Sequence, residues 1–204
     1  MRRKVFDLIA SAGGMVVVVV LAAAGALAMW GASFASSAVH SQLAQQQIYF
    51  PPKAAFAHAR PGTEITPSMI PSVSRYAGQQ LLTGAQAKVY ADDFIAVHLA
   101  EMPYHGVYAK ISAAAQAHPG NAALQALRQT SFQGTTLRGL LLEAYAFSVF
   151  GIIAFWGAIA SFCLAFLMAV LVALGFWHAR RVPPQAELLT PRTRQPASSA
   201  QGTA

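Results

Sequence analysis

After a basic start, Arg2-Arg3-Lys4, the chain carries no charged side chain from Leu8 to Trp30. As a helix that run would rise about 34 Å, and a bilayer core needs about 20 residues. The pattern predicts a membrane-spanning helix over residues 8–32, behind a basic cytoplasmic N-terminus at residues 1–7. A secretory signal competes, because Ala35-Ser36-Ser37-Ala38 supplies small residues of the kind a signal peptidase accepts. Signal apolar regions run to about 7–15 residues, so this longer run reads as an uncleaved anchor.

A second apolar run begins at Leu140 and ends at Trp177. It is too long for one crossing and too short for two with a turn. Trp156 and Trp177 would lie about 31 Å apart along a helix, the separation of the two aromatic belts of one span. This predicts a span over residues 154–178, with the same helix continuing outside the bilayer and carrying Glu143.

Apolar residues also recur beyond the spans. Val39, Leu43 and Ile48 form a partial stripe before Pro51-Pro52 stops the helix, and Leu137, Leu140, Leu141 and Ala144 form another. Residues 33–50 and 134–153 then give stalk helices of similar length. Residues 51–133 between them read as a small exported helical domain. Its first part, Pro51 to Ser72, is rich in proline and glycine and predicts loop with a short helical turn near Met69. Helices follow over Ser72–Leu82, Ala85–Met102, Gly106–Ala117 and Asn121–Phe132, the last capped by Asn121 and ending near Gly134. No segment alternates strictly between apolar and polar residues, which excludes an extensive sheet. The fold class is an all-α membrane protein: two transmembrane helices extended into an antiparallel stalk that carries a small exported helical domain.

Composition agrees with this reading. Of the 204 residues 55% are hydrophobic and 10% charged, against roughly 25% charged in soluble domains. The net charge of +7 lies largely at Arg2, Arg3 and Lys4 and at Arg180, Arg181, Arg192 and Arg194. Basic residues flanking apolar spans orient a protein in the bacterial cytoplasmic membrane, here with both termini cytoplasmic and the middle exported. They do not form a nucleic-acid footprint, so no nucleic-acid partner is expected. Cys163 is the one cysteine, so no internal disulfide forms. Residues 179–204, rich in Pro, Ser and Thr, read as a disordered cytoplasmic tail.

Small residues recur every fourth position at Ala24, Ala28 and Ala32, and at Gly157, Ser161 and Ala165. That spacing lets helix backbones approach closely. It predicts a packing interface between the two spans, or one that recruits a protein partner or a second copy. Membrane lipid is the other expected partner.

The densest chemistry lies in Tyr90–His105, which holds two aspartates, a glutamate and two histidines. On an ideal wheel centred on Phe94, His98 and Glu101 fall within about 60° of the apolar arc, while Asp92 and Asp93 fall outside it. An imidazole and a carboxylate three residues apart share a helix face and could share a metal ion. Against this, Pro103 separates His105 from that face. No second His-x-x-Glu element is present, and helical di-iron sites draw on such elements from two helices. A structural pair is the plainer reading, with Glu101 meeting Arg138 and His98 meeting a backbone carbonyl. Glu143 would contact Arg138 or a lipid head group. No nucleophile elbow, phosphate loop or dinucleotide fingerprint occurs, and no cofactor is expected.

At Tyr49–Pro52, Ser74–Leu99, Thr136–Phe147 and Leu174–Arg181 the chain resembles a group of small actinobacterial two-span membrane proteins. The resemblance covers most of Ile48–Arg181 and implies the same two-span topology. Proteins of this kind are sometimes labelled aromatic-ring-opening dioxygenases. Such an enzyme needs two histidines and a carboxylate facing one iron, and the residues here supply no such set. The leading expectation is therefore a non-catalytic interaction or accessory-subunit module. The alternatives are a metal-dependent enzyme centred on His98 and Glu101, and a sensor acting through the stalk.

Overall fold

The computed structural model describes residues 3–181 and Pro183. The expected disordered tail lies outside the described residues except at its first positions. The described chain is all-helical, without strands. Helix α1 spans Arg3–Gln46, followed by the short α2 (Lys53–Phe56) and α3 (Ile70–Val73). Next come α4 (Gly84–Val89), α5 (Ala96–Glu101), α6 (Tyr108–Ala117) and α7 (Ala122–Arg181). Helices α1 and α7, of 44 and 60 residues, are long and apolar enough to cross a membrane. The contacts divide the chain into two compact units, Met1–Ala26 with Ala158–Ala204, and Leu27–Gly157.

In the first unit the two long helices meet along a seam of small residues. Ala158, Ala165, Val172 and Ala179, seven positions apart, are buried. A seven-residue period is that of helices wound in a left-handed supercoil. Glycines on the seam admit the neighbouring helix. A β-carbon on Gly14 would lie 2.6 Å from Val172 Cγ2, one on Gly25 3.0 Å from the Phe162 ring, and one on Gly175 2.4 Å from Ser11 Oγ. Elsewhere the surfaces are apolar and exposed, as at Val16, Val19, Val20, Phe166, Leu167 and Leu171.

The four-residue stripes fit this seam only in part. Ser161 and Ala165 lie on it, but Gly157 is exposed and a β-carbon there would touch nothing within 4 Å. On α1, Ala24 is exposed, Ala28 half-buried and Ala32 buried. The reason is geometric: at 3.6 residues per turn a four-residue step gains about 40°, so the stripe winds off the face that a seven-residue repeat holds.

In the second unit α1 and α7 contribute Val39, Leu43 and Leu141 to a core completed by Phe50, Met69, Val73, Leu81, Ala87, Ala91 and Ile95. Helix α1 stops earlier than Pro51-Pro52 requires. Gln47 takes φ +52°, and the chain runs extended through Ile48–Phe50. There the Leu81 N–H donates to the Ile48 carbonyl and the Phe50 N–H to the Gln79 carbonyl, both at 2.9 Å. This pairing replaces the helix expected over Ser72–Leu82. The helical turns end at Tyr76, Gly78 turns the chain at φ +73°, and Gln80 forms a bridge with Tyr49.

The expected break at Gly134 is also absent, and α7 is continuous from Ala122 to Arg181. A mid-helix glycine costs about 1 kcal/mol relative to alanine. Here its bare α-carbon makes room for Leu99, whose Cδ2 would lie 2.9 Å from a β-carbon. Asn121 does cap the start of α7, its Oδ1 accepting from the Leu124 N–H at 3.1 Å.

Candidate functional site

Thr83 begins the segment that carries the acidic and histidine residues. Its hydroxyl accepts from the Gln86 N–H, and the Gln86 side chain returns to the Thr83 N–H at 3.0 Å, closing a capping box. The sequence Thr-Gly-Ala-Gln is that motif's signature. Gly84 fits directly against α7, since a β-carbon there would lie 2.0 Å from Ser148 Oγ and 3.2 Å from the Tyr145 α-carbon. Between α4 and α5, Tyr90–Ile95 forms a π-helical turn. Such wide turns are uncommon and usually accommodate one extra residue in an otherwise regular helix.

The wide turn changes the expected grouping. An ideal wheel assumes 100° per residue throughout, so residues on either side of Tyr90–Ile95 fall out of phase. Asp92, expected to face water, is half-buried and receives Lys88 Nζ at 2.6 Å and an Arg138 guanidinium nitrogen at 2.8 Å. Glu101, expected against the core beside His98, is exposed. Arg138 therefore pairs with Asp92 rather than with Glu101 or Glu143. Glu143 is exposed at the rim of a groove of about 430 Å³ that it shares with Gln42 and Gln46.

His98 Nδ1–H donates to the Phe94 carbonyl at 2.8 Å, and its ring meets the Phe94 ring edge-on at 4.6 Å between centroids. The backbone contact occupies one ring nitrogen of His98, and Glu101 is exposed. Among the described residues no three His, Cys, Asp or Glu side chains gather as a metal site.

The charges around Asp92 reinforce one another. The hydrogen bond from Lys88, helped by Arg138, holds the Asp92 carboxyl below the usual carboxylate range against the opposing effect of burial. The same bond raises Lys88. Burial, with a smaller contribution from Glu64, pushes the Tyr90 phenol up. The cluster ties the wide turn to α7 and offers no free base or nucleophile.

A second unusual feature follows Met102. Tyr104, His105 and Gly106 take consecutive positive φ values of 59°, 55° and 65°. For the two non-glycine residues this left-handed geometry costs about 1–2 kcal/mol each. The turn is held by buried Ser131, whose hydroxyl donates to the Gly106 carbonyl at 2.8 Å. Tyr104, Val107, Tyr108 and Phe132 are exposed around it, with the Tyr108 and Phe132 rings 5.6 Å apart. Nothing in the sequence signalled this turn except the Pro103–Gly106 spacing.

A cavity of about 760 Å³ opens between α1, the start of α4, and α7 within the Leu27–Gly157 unit. Sequence reading did not foresee it, because its walls come together only in the folded chain. No protein-family model, curated protein or solved structure matches the chain.

Proposed function

We propose that the protein is a membrane-anchored, non-catalytic interaction module of the bacterial cytoplasmic membrane, acting as an accessory subunit for a protein partner. In this reading α1 and α7 cross the bilayer once each, and the basic flanks keep both termini cytoplasmic. Their outer halves form an antiparallel stalk for the exported domain.

The observation that carries the reading is the left-handed Tyr104–Gly106 turn with its exposed Tyr104, Tyr108 and Phe132. Strained backbone persists where surrounding contacts impose it and concentrates at functional sites. Aromatic side chains dominate binding hot spots because they bury large areas at little entropic cost. The Lys88–Asp92–Arg138 cluster braces the same domain without supplying reactive chemistry.

A photocrosslinking residue placed at Tyr104 or Phe132 in native membranes tests this. The expected result is a discrete adduct with one protein, absent when the same residue replaces exposed Thr130. Adducts no different from those at Thr130 would remove the aromatic face as an interface.

A further inference from the structure

The cavity beside α4 has an ordered chemistry. Along α1 its wall runs from Met29 through Ser33, Ser36 and Ser37 to His40, and along α7 from Trp156, Phe155 and Ile152 to Ser148. The large apolar side chains thus gather at one end of both walls and hydrogen-bonding side chains, with Val39 among them, toward the other, where Leu82–Ala85 close the cavity and add the Thr83 hydroxyl. Met29 to His40 is about 16 Å of helix rise. Trp30 and Trp156 stand exposed at the apolar end, and tryptophan favours the membrane–water boundary.

The hydroxyls and the imidazole that α1 brings to the polar end are exposed and are not spent on their own helix. Ser41, Ser74 and Thr130 return their hydroxyls to nearby helix carbonyls. Ser33, Ser36, Ser37 and His40 make no side-chain hydrogen bond within the described residues, and they face the cavity. Among the described residues no lysine, arginine, aspartate or glutamate lines it.

We propose that this cavity binds one glycerolipid of the outer leaflet, recognised through its uncharged ester linkage region. The serine hydroxyls and His40 meet the ester and glycerol oxygens, and an acyl chain passes Met29, Phe155 and Trp156 into the bilayer. The inference rests on the membrane reading above and adds a specific lipid site to it. The aromatic face at Tyr104 is separate from this site and is not required by it.

The full chain in vesicles of ether-linked phosphatidylcholine, whose chains lack the ester groups, with a diacylglycerol carrying a photoreactive acyl chain, provides the test. The expected adducts map to residues 29–40 and 148–156 and are displaced by unlabelled diacylglycerol. Ser36→Trp, which places an indole in the cavity, removes this saturable labelling while helix content stays unchanged. Ser33→Ala with Ser37→Ala keeps the volume, removes two donors, and weakens displacement about tenfold. Labelling confined to exposed faces such as Val16, Val19, Leu167 and Leu171, unsaturable and indifferent to Ser36→Trp, overturns the site and leaves the membrane reading standing. Stronger displacement by phosphatidylglycerol than by diacylglycerol overturns recognition through the uncharged region. A chain released by alkaline carbonate and unlabelled everywhere overturns the membrane reading as well.

Discussion

Gly106 lies so close to Leu99 that a β-carbon on it would stand 2.2 Å from the Leu99 carbonyl oxygen. With φ at +65°, the position is closed to side chains both by space and by backbone preference. Gly106→Ala is expected to destabilise the Leu27–Gly157 unit by about 3 kcal/mol or more. Gly120→Ala, at an ordinary φ with open space around the new methyl, should change stability little. Chemical denaturation of the two variants side by side checks this, and equal midpoints would show that the turn relaxes freely.

Asp92 links acid stability to the wide turn. Its folded pKa is depressed, so its contribution is present above the unfolded carboxylate value of about 3.9. That contribution is lost as the pH falls through the still lower folded value. Asp92→Asn should cost about 0.5–1 kcal/mol at neutral pH, as befits a partly exposed ion pair. It should also flatten the decline of stability below about pH 4. Unfolding curves from pH 2 to 7 decide it, and an unchanged acid limb in the variant would rule out Asp92 as the source.

Lys88 and Tyr90 act at the other end of the scale. Both have raised folded values, so their contributions are complete below about pH 10 and fall as pH rises through the folded values. Tyr90→Phe removes one of these titrations and should make alkaline unfolding begin at higher pH. The absorbance of tyrosinate during the same titration shows whether Tyr90 holds its proton beyond the other tyrosines.

The small-residue positions separate into two kinds. Gly14→Leu drives a side chain into Val172, while Gly157→Leu adds one to open space. The first should lower the melting temperature in detergent by several degrees, and the second should leave it within a degree or two. If Gly157→Leu instead changes the oligomeric state, that outer face holds another chain.

The large features of the fold were legible in the sequence because they depend on long periodic runs. The apolar stretches Leu8–Trp30 and Leu140–Trp177 and the cap at Asn121 each act through local chemistry. Misplaced boundaries came from long-range effects. Gly134 does not end α7 because Leu99 fills the space above it, and Ser72–Leu82 gives up helix to pair with Ile48–Phe50. At the candidate site, the composition of Tyr90–His105 was plain but its geometry was not. Asp92 is drawn into an ion-pair cluster by Arg138 of a distant helix, and Glu101, the last residue of α5, is exposed; no wheel of one segment contains that partner. The cavity was hidden for a different reason: Ser33, Thr83 and Ser148 belong to three separate segments, and each looks ordinary alone.

The wide turn at Tyr90–Ile95 has a consequence for how this chain can change. It is one residue more than a regular helix needs, so loss of a single codon there would close α4 and α5 into uniform turns. The wide turn takes up its extra residue within one turn, so everything beyond would keep its direction. His98 and the whole Met102–Gly106 end would stay aimed as they are, and only the residues within the turn, Asp92 among them, would change face. The turn is therefore a place where the chain can gain or lose a residue without redirecting the surface that the domain presents.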